Sequence, residues 1–153
     1  MYSEYQTAIY RYCNYQPRCH QEVRNKLYEI GATTPEVEEI ISELISDKLL
    51  NEEAYARAIA RGRFRIKQWG KKKIIQHLKQ NRISDYCIKK GLSEIDPEEY
   101  ERILIKLTTR KWEELKKERS PVARKSKVYR YMLQKGYESD LVQDLIKALE
   151  KKK

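Results

Sequence analysis

Apolar residues recur along this chain three or four positions apart, and they seldom alternate. That period belongs to amphipathic helices. It predicts a first helix over Glu4 to Tyr15, with Ala8, Ile9 and Tyr12 inward and Gln16-Pro17 as its end. A second helix runs from Cys19 to Ile30 on Val23, Leu27 and Ile30, and Gly31 suits a left-handed C-terminal cap. A third opens on Thr34 as N-cap with Pro35 as its first residue, and continues through Lys48. Its core positions are Val37, Ile40, Ile41, Leu44 and Ile45.

The pattern then repeats. Val23, Leu27, Ala32, Val37 and Ile41 recur 51 residues later as Ile74, Leu78, Ile83, Ile88 and Leu92. Val23, Leu27, Gly31, Val37, Ile40 and Ile41 recur 105 residues later as Val128, Met132, Gly136, Val142, Leu145 and Ile146. The expected fold is therefore all-α, with tandem three-helix repeats at residues 1–50, 51–95 and 96–153. Each repeat opens with its own long helix: Glu4–Tyr15, Asn51–Lys67 and Pro97–Lys117. The last of these carries Tyr100, Ile103, Leu104, Leu107, Trp112 and Leu115 as its apolar positions, and Ser120-Pro121 ends it. No strand signal competes, since alternation is short and no Asn-Gly or Asp-Gly pair occurs.

Charge sharpens this picture. The chain has 33 basic and 23 acidic residues, a net charge of +10. The stretch from Ala54 to Ser84 holds ten Lys and Arg and no Asp or Glu, and outside it the two signs balance. On a helical wheel Tyr55, Ile59, Gly62 and Ile66 form one face of this stretch, fit for a core. Arg57, Arg61 and Arg65 form a stripe opposite, and Phe64 points out among them. Like charges at this spacing cost about 0.2–0.5 kcal/mol per pair. Two interpretations stand: a solvated face whose Phe64 packs on a neighbouring helix, or a docking surface for an acidic partner.

Composition excludes several classes. No apolar run approaches the roughly 18 residues of a membrane span. The N-terminus, Met-Tyr-Ser-Glu-Tyr-Gln, lacks the basic and apolar regions of a signal peptide, so a cytoplasmic protein is expected. Three cysteines with no evident pairing agree with a reducing compartment. Cys13, Cys19 and His20 match no usual zinc spacing and lack a fourth ligand. His20 and His77 are the only histidines and no Gly-rich phosphate loop occurs, so neither a catalytic site, a metal site nor a cofactor is expected.

Two runs carry a family resemblance. Arg18-Cys-His-Gln-Glu22-Val23-Arg-Asn-Lys26-Leu27 is similar to the Arg-x-x-x-Glu-Leu-x-x-Lys-Leu run of the RecX family. Leu49-Leu50-Asn51-Glu52-Glu53-Ala54-Tyr55-Ala56 resembles that family's Leu-Asn/Asp-Asp/Glu-x-x-Phe/Tyr-Ala opening, and the basic helix, Gly70, Ile74 and Leu78 follow in register. The chain departs from many relatives at Gly70-Lys71, where they have Gly-Pro, and at Asn81-Arg82, where they have Lys-Gly. The resemblance implies an elongated, curved array of three-helix repeats. It also implies a regulator that lies in the groove of the RecA–single-stranded DNA filament and inhibits strand exchange and ATP hydrolysis.

The residues themselves support a basic helical binding module, expected to be a monomer without membrane contact. Its candidate contact residues are Arg57, Arg61, Arg63, Phe64, Arg65, Lys67, Lys71, Lys72, Lys73 and Lys79, with a smaller cluster at Arg124, Lys125, Lys127 and Arg130. The partner implied by the resemblance is the RecA filament, with single-stranded DNA as a second contact. The alternative is a non-sequence-specific nucleic-acid-binding array, in which Lys71, Lys72 and Lys73 grip phosphates and Phe64, Trp69 or Tyr86 stack on bases.

Overall fold

The computed structural model describes residues 4–152. Among them are nine α-helices and no strand: α1 Glu4–Tyr15, α2 His20–Glu29, α3 Thr34–Ser46, α4 Glu52–Arg65, α5 Lys71–Gln80, α6 Asp85–Leu92, α7 Pro97–Glu114, α8 Pro121–Lys135 and α9 Ser139–Lys151. The chain divides into two compact units. One comprises Met1–Ile59 with His77–Leu92, the other Ala60–Gln76 with Ser93–Lys153. Helices α4 and α5 thus each contribute to both.

In the first unit α2 packs on both α1 and α3. Ile9, Val23, Leu27, Val37 and Leu44 are sealed from solvent at its centre. Polar bonds tie α1 to distant backbone and side chains. The Tyr5 hydroxyl donates to the Gly31 carbonyl at 3.2 Å, Gln6 donates to Glu43 at 2.6 Å, and Tyr10 donates to Asp47 at 2.7 Å. In the second unit α7, α8 and α9 pack on one another. Its interior holds a row of rings, with Phe64 5.7 Å from Tyr100 and Tyr100 5.3 Å from Tyr137. Edge-on and tilted pairs at such separations add attraction beyond the area they bury.

The three sequence repeats share one chain reversal. Gly31, Arg82 and Gly136 occupy equivalent places after α2, α5 and α8, and all three are left-handed, with φ of 101°, 58° and 100°. At each, two amides close the helix end. Gly31 N–H donates to Tyr28 O and Ala32 N–H to Leu27 O; Arg82 and Ile83 do so to Lys79 and Leu78; Gly136 and Tyr137 do so to Leu133 and Met132. This is the bonding of a Schellman cap, in which the residue after the left-handed one turns back over the helix. That following residue is apolar and buried each time: Ala32, Ile83 and Tyr137. Arg82 keeps the left-handed turn without glycine, in a conformation that costs an L residue about 1 kcal/mol.

Several boundaries and faces differ from the sequence expectation. The N-cap of α3 is Thr33 rather than Thr34; its amide and hydroxyl both donate to Glu36, at 2.9 and 2.7 Å. Ile45, expected in the core, is 46% exposed at the end of α3. The larger correction is in α4. Phe64 is buried at 3% exposure, and Ile66, assigned to the core face, is 82% exposed. The buried row is Ala56, Ala60 and Phe64, four residues apart, flanked by Tyr55. Two facts explain the shift. The helix ends at Arg65, so a wheel no longer places Ile66. And small side chains allow close approach: a Cβ on Gly91 would lie 2.7 Å from the Ala56 carbonyl oxygen.

Candidate nucleic-acid interface

Between α4 and α5 the chain runs Ile66-Lys67-Gln68-Trp69-Gly70. Gln68 is left-handed (φ 57°), which ends α4 and lets the Trp69 amide donate to the Arg63 carbonyl at 3.1 Å. Trp69 is thereby held half-buried beside the basic helix end. Three cations approach its ring: Lys73 Nζ at 4.7 Å from the centroid, Arg63 Cζ at 5.4 Å and Lys67 Nζ at 5.7 Å. Each distance lies within cation–π range, so the sequence's separate basic residues converge on one aromatic plate.

The end of α8 braces this corner. Gly70 N–H donates to Lys135 O at 2.7 Å and Lys72 N–H to Gly136 O at 2.9 Å. The Tyr137 hydroxyl donates to Gln68 O at 2.9 Å, and Lys135 Nζ donates to Lys67 O at 2.9 Å. Burial lowers the affinity of Lys135 for its proton, and the neighbouring Lys73 charge lowers it further. The amide of Lys71 donates to the Tyr100 hydroxyl at 3.0 Å, a bond that proline at this position could not make. The first amides of α5 are therefore used within the protein, and positive charge here resides on side chains rather than on an open helix N-terminus.

The sequence-proposed contact residues separate into distinct groups. Arg63, Lys67 and Lys73 gather on Trp69, and Lys71 lies over the Tyr100 ring at 4.7 Å. Arg65 and Lys72 are exposed and make no ion pair among the described residues. Arg57 and Arg61, expected to lack acidic neighbours, have them: Glu53 lies 3.2 Å from Arg57 and Glu94 3.2 Å from Arg61. Phe64 faces the interior and cannot stack on a base. Lys79 is exposed in the other compact unit, as is Tyr86 at 62%.

The cluster on α8 is largely engaged. Arg124 stacks on Trp112 at 3.7 Å and donates to its carbonyl, Lys125 pairs with Glu150 at 2.9 Å, and Lys127 pairs with Glu118. Arg130 donates to Ser126 at 3.4 Å on its own helix. Among the described residues no group of three or more His, Cys, Asp or Glu is placed to hold a metal. His20 instead faces Glu52 at 3.4 Å, and burial pushes the Cys19 thiol up to about 11.

Two residues that sequence reasoning missed are Lys135 and Tyr137. The only local hint was Gly136, the repeat equivalent of Gly31. Nothing local indicates that position 135 meets position 67.

The arrangement suits an extended polyanion. An aromatic ring can stack on a base while surrounding ammonium and guanidinium groups meet phosphates. No helix among the described residues is long and apolar enough to cross a membrane.

Comparison with known proteins adds the lineage. Residues 51–92 match the family model described as "RecX, second three-helix domain", and residues 98–146 match "RecX, third three-helix domain". The chain belongs to the RecX family. A RecX relative from Clostridium perfringens, named "Regulatory protein RecX", is 32% identical over 133 residues, 86% of this chain and 62% of the relative. The chain thus spans about three fifths of the length of that curated relative. A solved structure described as "regulatory protein RecX" superimposes with a TM-score of 0.82 at 27% identity, covering 95% of this chain and 70% of that one. RecX from Lactobacillus salivarius shares the fold with a TM-score of 0.81 at 24% identity, over 96% of this chain and 95% of that one. The all-α repeat fold is that of the RecX family, a family of regulatory proteins rather than enzymes.

Proposed function

We propose that this chain regulates a RecA-type recombinase by binding its filament on single-stranded DNA, and that it inhibits ATP hydrolysis and strand exchange. The observation that carries the nucleic-acid part is the Trp69 ring bordered by Arg63, Lys67 and Lys73. Family membership supports the regulatory part. A filament exposes phosphates at regular intervals, and a cluster of cations around one stacking ring meets both the charge and the base. The exposed Arg65 and Lys72 extend the positive surface.

The deciding experiment titrates the protein into the cognate recombinase turning over ATP on single-stranded DNA. Turnover and strand exchange should fall at or below one protein per recombinase. A second reading, non-sequence-specific binding to nucleic acid alone, rests on the same ring. Binding to bare single strands with no effect on a preformed filament would establish that reading instead.

A further inference from the structure

A groove between α7 and α9 differs in chemistry from the basic corner. It encloses about 480 Å³, and its floor is apolar: Leu104, Ile105, Leu141 and Leu145. Ile105 and Leu141 remain 42% and 38% exposed, although the residue beside each on its helix, Leu104 and Val142, is buried. Glu101 and Asp144 are exposed at its edges and make no ion pair among the described residues. Glu138 also lines it, held by the Tyr100 hydroxyl.

The sign of this rim runs against the whole molecule. In a chain of net charge +10, acidic side chains beside uncovered leucine and isoleucine form a patch of opposite character. Lys71 is the one cation lining it, and its ammonium lies over the Tyr100 ring. Neighbouring helices with apolar side chains between them form the kind of trough that accepts a third helix. The volume lies within the usual range of binding pockets, about 300–1,000 Å³.

The geometry points to this groove as a docking site for a basic amphipathic helix of a partner protein. Leucine-like side chains at i, i+3 or i+4 and i+7 would enter the trough between Ile105 and Leu141, and flanking Lys or Arg would meet Glu101 and Asp144. Charge complementarity selects this occupant: an acidic helix would be drawn to the protein as a whole but repelled at the rim.

Two labelled peptides of about four turns test it, one patterned with Leu and Lys and one with Leu and Glu. Net charge alone favours the Leu/Glu peptide, so a preference for Leu/Lys in fluorescence anisotropy reads the groove. Ile105→Ser with Leu141→Ser should weaken Leu/Lys binding at least about tenfold, as removal of buried anchors does. Glu101→Lys with Asp144→Lys should weaken it comparably, and this pair leaves the apolar packing intact. Thermal melts by circular dichroism establish that both variants are folded. Equal or stronger binding of the Leu/Glu peptide, or wild-type binding by either folded variant, would overturn the proposal. So would a concentration-dependent dimer abolished by the Ser pair, since the occupant would then be a second copy of this chain.

Discussion

Gly70 and Gly136 lie backbone against backbone: a Cβ built on Gly70 would stand 2.3 Å from the carbonyl carbon and oxygen of Gly136. On the other side, a Cβ on Gly136 would stand 2.3 Å from Lys73 Cβ. This close approach lets Gly70 and Lys72 bond to the end of α8 and so sets the position of Trp69 and the α5 lysines. Gly70→Ala should therefore destabilise the protein by about 3 kcal/mol, since neither neighbour is the free end of a side chain. Urea denaturation measures this, and a change below about 0.5 kcal/mol would mean that the two backbones part without strain.

The inward face of α4 is tested by a pair of truncations. Phe64→Ala removes a buried ring packed on Tyr100 and should cost about 4 kcal/mol. Ile66→Ala should change stability by less than about 0.5 kcal/mol, because that side chain is in solvent. The reverse order would restore the face predicted from the sequence.

Binding to single-stranded DNA should depend on the corner rather than on the stripe. Lys67→Ala with Lys72→Ala, both exposed at the corner, should make the salt dependence shallower, by about 0.7 in slope for each phosphate that the variant no longer neutralises. Trp69→Ala should weaken binding by about 1–3 kcal/mol with the slope retained, as expected for a stacking residue. Arg57→Ala, whose guanidinium already faces Glu53, should alter neither. Anisotropy of a labelled oligothymidine across a salt series separates the three outcomes. A larger slope change for Arg57→Ala than for the corner variant would return the binding surface to the stripe.

Alkaline sensitivity follows from buried thiol and phenol groups. Burial raises Cys19 from 9.0 to about 11, and it also raises Tyr55, Tyr100 and Tyr137, with Glu138 adding to the effect at Tyr100. A group with a raised native pKa stabilises fully below its unfolded value, and that contribution fades as pH passes through the native value. Stability should hold up to about pH 9 and fall progressively toward pH 11. The denaturation midpoint at about pH 10 should lie clearly below that at neutral pH; equal midpoints would show that these groups ionise as readily folded as unfolded.

Helices and repeat were legible because their causes are local. Apolar period, Pro17, and glycine at positions 31 and 136 act through neighbouring torsions, and the structure follows them closely. The equivalence of positions 23, 74 and 128 is visible in sequence, and all three side chains are fully buried. The phase of α4 was not legible, because alanines at 56 and 60 carry little hydrophobic signal, yet their smallness is what permits close packing. Glu53, four residues before Arg57, lay within reach of helical spacing, but most other partners of the charged residues were hidden. A stripe of arginines looks uncompensated until folding brings Glu94 to Arg61, and the Trp69 corner acquires Lys135 from 68 residues beyond Lys67. Ion pairs and braces of this kind depend on distances through space, which spacing along the chain does not encode.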